Sequence, residues 1–422
     1  MSPRRTNGGR LRRPPLLSGL PPEVAILAVV AFCVALGFGI VAPALPVFAK
    51  SFQVSAFLAG TVISVFAFIR LLSAVPAGWF VDRTGERIVL ATGLVIVAVS
   101  SALAGLSTSF VQLVVLRGVG GFGSAMFSVS SMALLLRVVA PEIRGRAVGT
   151  YQGGFLLGAV AGPAIGGIVT GISIRLPFFI YAGTLSIAAI VVITMLARTE
   201  LREREAAAAS PESGWTTFHR ALRSRPYFTA LFTNLAEGFS INGLRSYLVP
   251  LFVVFALHKP ATLTGLGLVA ATVVQAVLLL PAGRIADTKG RKPALMLGTG
   301  ITVVGTVGLA LTTTPWLFLI AMATLGAGAA FLGSAPAAVV GDVAGGKRSG
   351  ALVAGFQMSS DVGSITGPLV VGAIIDVTGS YETAFLVGAA VVAVAFALSA
   401  TMPETRRATV PTEPTAQLTT PD

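Results

Sequence analysis

The chain has 422 residues, of which 54% are hydrophobic and only 11% are Asp, Glu, Lys or Arg, against roughly 25% charged in ordinary soluble domains. Together with a mean hydropathy of +0.86, this excludes a water-soluble enzyme, a disordered chain and a nucleic-acid-binding domain. The net charge of +13 therefore has to be read from where it lies.

A bilayer core about 30 Å thick takes roughly 20 apolar residues as a helix. Twelve segments reach or approach that length. They are 24–49, 56–80, 88–106, 110–136, 147–171 and 176–197, then 227–257, 263–285, 294–311, 316–340, 351–375 and 384–402. Residues 1–23 read as a basic tail, 198–226 as a polar connector and 403–422 as a Pro/Thr-rich tail. The first run is too long for the apolar part of a signal peptide and is read as a retained span. Cys33, the single cysteine, sits inside that run and offers no intrachain disulfide.

Placing both termini on one side puts 24 of the 30 Lys and Arg there. Lys50, Arg175 and Lys259 face the other side, and Arg70, Arg117 and Arg245 fall within spans. The inside-positive rule then predicts cytoplasmic termini in a cell (cytoplasmic) membrane. The net charge becomes a signal of topology and of contact with anionic lipid.

The two halves align at a constant offset of 205 residues. Pro76, Ala77 and Gly78 match Pro281, Ala282 and Gly283; Asp82 and Gly85 match Asp287 and Gly290; Gly121 and Gly123 match Gly326 and Gly328; Gln152 matches Gln357. Gly158, Gly162, Pro163 and Gly167 match Gly363, Gly367, Pro368 and Gly372. A register held over four spans predicts an all-α membrane protein of twelve transmembrane helices in two pseudo-symmetric six-helix bundles, 24–197 and 227–402. Such repeats underlie alternating access to a central site.

Each half carries a loop motif after its second span: Gly78, Asp82, Arg83, Gly85, Glu86 and Arg87, then Gly283, Asp287, Thr288, Gly290, Arg291 and Lys292. The second glycine of each permits a tight turn. The aspartate suits a neighbouring helix N-terminus. These residues resemble the G-x-x-x-D-R-x-G-R-[RK] loop of the major facilitator superfamily, and the resemblance covers nearly the whole chain. Glu86 departs from the usual basic residue, and Thr288 from the usual Arg. The resemblance implies that Asp82 and Asp287 brace the cytoplasmic gate in an outward-facing state and release it in an inward-facing one.

Arg117 followed by Gly118, Gly120, Gly121 and Gly123 resembles the family's fourth-span motif, which implies a part for that arginine in proton coupling. Gly158, Gly162, Pro163, Gly166 and Gly167 resemble the fifth-span motif of the drug:proton antiporter branch. Glycines on one face permit close helix packing, and the proline bends the span. The segment 39–46 also looks like the first span of twelve-span exporters in that branch.

Ionisable groups inside spans are functional candidates by default. They are Arg70, Arg117, Glu237, Arg245 and Asp361. Asp361 shares a helical face with Gln357, Ser360 and Ser364, Glu237 with Asn234 and Arg245, and Arg117 with Ser124, Ser128 and Ser131. Exposing or pairing a carboxylate changes its proton affinity, so Asp361 is the first proton-carrier candidate and Glu237 the second. A fixed buried ion pair holding helices in register is the competing reading for each. Asp342, Glu142 and Asp376, near span ends, read as loop or gate residues.

The leading expectation is an exporter of a small amphiphilic molecule in exchange for protons, without cofactor or metal, monomeric by resemblance. An exporter or importer of one metabolite on the same scaffold stays open. A membrane enzyme would want a His, Cys or paired-carboxylate cluster, and no nucleotide-binding loop supports ATP drive. A receptor would more often carry a signalling domain.

Overall fold

The computed structural model describes residues 20–140, 143–196, 221–344 and 350–405. Most of both tails, Glu142 and most of the connector, including His219, lie outside the described residues. Among the described residues, twelve helices are long and apolar enough to cross a membrane. Spans one to six are Pro22–Val41, Ala56–Thr84, Glu86–Gly105, Phe110–Val138, Arg144–Ile172 and Leu176–Met195. Spans seven to twelve are Arg225–Ala256, Ala261–Thr288, Arg291–Ala310, Pro315–Val343, Leu352–Thr378 and Tyr381–Thr401.

An even number of crossings puts the two ends of the described chain on the same side, here called the terminal end. Spans two, four, ten and twelve start at the opposite end. There Ser55, Ser109, Thr314 and Ser380 accept from the backbone N–H three residues on, at 3.1–3.4 Å. Hydroxyl caps of this kind satisfy N–H groups that a first helical turn leaves unpaired. The paired spans two and three, and eight and nine, are joined by tight turns through Gly85 (φ +87°) and Gly290 (φ +116°). Both positive φ values are strained for any residue with a Cβ.

Three spans differ from uniform helices. The first helix ends at Val41, turns through Pro43, and resumes as Leu45–Lys50, so 24–49 is one crossing plus a short helix. Span seven widens into π-helix over Ser240–Leu248 and again over Phe252–Ala256, with Pro250 between. Pro250 has no N–H to donate, which frees a carbonyl one turn earlier, and π-turns mark functional sites often. The helix of span ten breaks after Leu332 and resumes at Ala335.

The halves meet at the opposite end along two seams related by the 205-residue repeat. Span two packs on span eleven, and span eight on span five. A methyl group at Gly60 would stand 2.6 Å from the Pro368 carbonyl oxygen. Its repeat mate Gly265 faces Pro163 in the same way, at 2.8 Å. Toward the terminal end the seams part. Gly78, Gly145, Gly149, Gly153 and Gly283 have no heavy atom within 4 Å of a Cβ position, and Val75, Val277 and Leu280 are exposed. The molecule is closed at the opposite end and open at the terminal end.

Candidate functional site: a central cavity and its ion pairs

A cavity of about 260 Å³ lies between the halves, lined by spans one, two, four, five, six, seven and eleven. Aromatic side chains dominate it: Phe38, Phe66, Phe127, Phe155 and Tyr181. Its polar groups are few: Arg70, Arg117, Ser124, Ser128, Asn242, Ser246 and Ser364. Apolar walls with a handful of placed polar groups are the usual makeup of a small-molecule site.

Arg70 of span two donates from Nη2 to Asp361 Oδ1 of span eleven. This ion pair crosses between the halves. Going from it toward the opposite end, the same seam carries the Ser64 hydroxyl donating to the Ile365 carbonyl at 2.7 Å. Asp376 closes the seam, accepting from the backbone N–H groups of Ala56 (2.7 Å) and Phe57 (2.8 Å). The Tyr247 hydroxyl donates to the Ala56 carbonyl beside it. A carboxylate of one half thus caps the first turn of a helix in the other, the favourable place for negative charge.

The shared polar face of span eleven divides between two neighbours. Asp361 turns to span two. Ser364 accepts from Asn242 Nδ2 of span seven at 2.9 Å, and Ser360 lies against Gly238. A step of three residues turns a helix by about 60° short of a full revolution, enough to change neighbours. Gln357 is exposed one turn nearer the terminal end.

Arg117 is buried, at 4% exposure, with no acid beside it among the described residues; its guanidinium stands 4.3 Å from the Phe66 ring centroid. Ser124 and Ser128 line the cavity with it, while Ser131 shares a 3.2 Å hydrogen bond with the Tyr151 hydroxyl. Glu237 and Arg245 interact electrostatically without forming an ion pair within 4 Å. Both belong to span seven. Asn234, grouped with them by helical position, instead donates to the Phe356 carbonyl at 2.6 Å.

The two loop motifs occupy equivalent places with different partners. In the first, Asp82 is exposed and pairs with none of the described residues. Arg83 stacks on Trp79 at 3.8 Å, and Arg87 Nη2 donates to the Ile193 carbonyl at 2.9 Å. In the second, Arg291 donates to Asp287 at 2.6 Å and to Asp342 at 3.1 Å. Glu404 accepts from the backbone N–H groups of Arg291 (2.8 Å) and Lys292 (3.1 Å), capping span nine. Glu86, the departure from the family pattern, accepts from Arg137 at 2.8 Å.

The span-five motif serves two faces. Methyl groups at Gly162 and Gly166 would stand 2.5 Å from the carbonyl oxygens of Leu36 and Ile40, and Gly158 lies against that of Phe32. Gly154 continues the row against Ala28, a member that sequence reasoning missed, although its four-residue spacing from Gly158 was visible. These glycines knit span five to span one within a half. A methyl group at Gly167 would instead stand 2.6 Å from the Gly265 Cα across the halves. Tyr247, Arg137 and Glu404 are likewise not marked by any sequence motif, because their partners lie far away in sequence; Asp376, read from its place near a span end as a loop or gate residue, caps the first turn of span two.

The Major Facilitator Superfamily model matches residues 27–265 and 230–421. Multidrug resistance protein 1 of Bacillus subtilis is 30% identical over 237 residues, 56% of this chain and 59% of that relative. Multidrug resistance protein 2 of the same organism is 26% identical over 84% of this chain and 89% of its own length. The quinolone resistance protein NorA of Staphylococcus aureus is 26% identical over 41% of this chain and 45% of its own. Among solved structures, a bacterial homologue of the human lysosomal transporter Spinster, in an inward-facing and unoccupied conformation, superposes with a TM-score of 0.75. It is 14% identical, over 94% of this chain and 99% of that one. The nucleoside transporter NupG gives 0.70 at 15% identity, over 90% and 99%. Twelve spans in two repeated halves, paired loop motifs and a cavity between the halves are the build of a multi-pass transporter, and the chain belongs to the Major Facilitator Superfamily.

Proposed function

We propose that this transporter exports small amphiphilic, drug-like compounds in exchange for protons, by alternating access, from a cytoplasmic membrane with both termini inside. The distribution of basic residues supports taking the terminal end as cytoplasmic, which makes the described form inward-open. The aromatic cavity and the names of the multidrug relatives support an amphiphilic cargo.

The observation that carries proton coupling is the Arg70–Asp361 pair. It joins the halves in the inward-open form, where Asp361 is ionised and the proton has gone to the cytoplasm. Opening the opposite end draws spans two and eleven apart there and separates the pair. Asp361, then without its cation, takes a proton from outside. Return to the inward-open form requires Arg70 to displace that proton inward. Substrate leaves on one stroke and the proton enters on the other. Glu237 is the weaker candidate because its neighbour Arg245 belongs to the same span, so rocking of the halves need not part them.

The test uses everted vesicles energised to acidify the lumen, with a pH-sensitive dye. Candidate compounds should release protons from vesicles with the wild-type protein and not from those with Asp361→Asn at equal expression. Equal release by both would remove Asp361 from the proton path and move the claim to Glu237.

A further inference from the structure

The cavity carries an unbalanced charge. Its two ionisable lining residues other than Tyr181 are Arg70 and Arg117. Asp361 neutralises Arg70. Arg117 has no carboxylate partner: it makes no hydrogen bond or ion pair with any described residue, interacts electrostatically with the Tyr181 phenol, and its Nε is buried and unsatisfied. Glu237 does not line the cavity.

Burying an unpaired cation costs several kcal/mol even after relaxation. Contact with the Phe66 ring returns only part of that. Ser124 and Ser128, about two and three turns beyond Arg117 on its face of span four, add hydroxyls along the same wall. Ser128 already donates to the Ser124 carbonyl at 2.9 Å, so it does not supply the missing negative charge.

Resting on the reading of this cavity as the substrate site, we propose that Arg117 is a subsite for the acidic group of an aromatic substrate. The ligand class is an aromatic carboxylate or a zwitterion carrying one. The guanidinium donates charge-assisted hydrogen bonds to the carboxylate, and the ring packs among Phe38, Phe66 and Phe127. Anion binding then completes a charge balance that the protein leaves open. A purely cationic amphiphile meets Arg117 as a repulsive group and has only the aromatic walls to bind.

The test compares norfloxacin, which carries a carboxylate, with its methyl ester and with ethidium. Binding is measured by fluorescence titration to the full-length protein in lipid nanodiscs. Hydrogen bonds to a charged partner contribute about 1.5–3 kcal/mol, so wild type should bind the acid roughly 10- to 100-fold more tightly than the ester. Arg117→Gln should bring the two affinities to within about twofold, and Arg117→Lys should keep part of the preference. Ester binding in each variant reports an intact cavity. An acid preference that survives Arg117→Gln, or none in wild type while ester and ethidium bind, overturns the subsite and leaves the drug cavity standing. If none of the three binds wild type, the cavity reading fails and takes the subsite with it.

Discussion

Glu86 and Arg137 form an ion pair at 2.8 Å, and the positions 205 residues further on hold Arg291 and Asp342, paired at 3.1 Å with the signs exchanged. The two halves keep one bridge between the start of the third helix of the repeat and the end of the fourth. They satisfy it with opposite polarity. The unusual Glu86 in the first loop motif is therefore compensated within its own half.

Charge exchange at this bridge should be tolerated where charge removal is not. Glu86→Arg sets two cations together at a half-buried site (side-chain exposure 11% for Glu86 and 33% for Arg137). It should destabilise the first half by about 1–3 kcal/mol and lower the melting temperature in detergent. Adding Arg137→Glu should restore most of the loss. Thermal unfolding of the two single variants and the double variant gives the coupling directly. An additive loss in the double variant would contradict the bridge.

The glycines of span five predict two different phenotypes. Gly162→Val overpacks the contact with span one inside a half, at about 1–3 kcal/mol, and should reduce folded yield. Gly167→Val presses on Gly265 across the halves at the closed end. It should leave yield near wild type but tilt the protein toward opening there, with slowed transport. Size-exclusion yield and initial transport rate, measured together, separate the two. Identical phenotypes would mean that the motif has a single face.

Asp376 is predicted to act as the outer latch. Asp376→Asn removes the negative charge from the first turn of span two while keeping its shape. A loss of about 1–2 kcal/mol from the closed form shifts its population roughly 5- to 30-fold. Ser64 lies buried in the same seam. Ser64→Cys in a Cys33→Ser background should therefore react faster with a membrane-impermeant thiol reagent added outside once Asp376→Asn is introduced. An unchanged rate would rule out the latch.

Fold and site were legible in the sequence to different depths. Continuous apolar runs specify the spans because lipid demands them, and matched Gly and Pro fixed the repeat. Pro163 and Pro368 do stand at equivalent seams. Asp361 was legible as a costly charge in a membrane, but its partner Arg70 lies 291 residues away, and no local pattern links them. Helical phase put Ser360, Asp361 and Ser364 on one face, yet a 60° turn is enough to reach a different neighbour. The π-helix at Ser240–Leu248 has no marker of its own beyond Pro250, since widening of a turn depends on packing as much as composition. Glu86 looked like a defect in a motif because Arg137, its compensation, lies outside the motif.

In the proposed cycle the Arg70–Asp361 pair couples the proton to the movement of the halves. Purified protein in liposomes should take up an amphiphilic fluorescent compound that it binds, against that compound's gradient, when a pH difference is imposed. Asp361→Asn should lose that uphill uptake while still exchanging labelled for unlabelled dye across the membrane. Such a variant binds and rocks but is uncoupled. Uphill uptake retained by Asp361→Asn, at wild-type rate and with the same pH dependence, would mean that the pair does not carry the coupling.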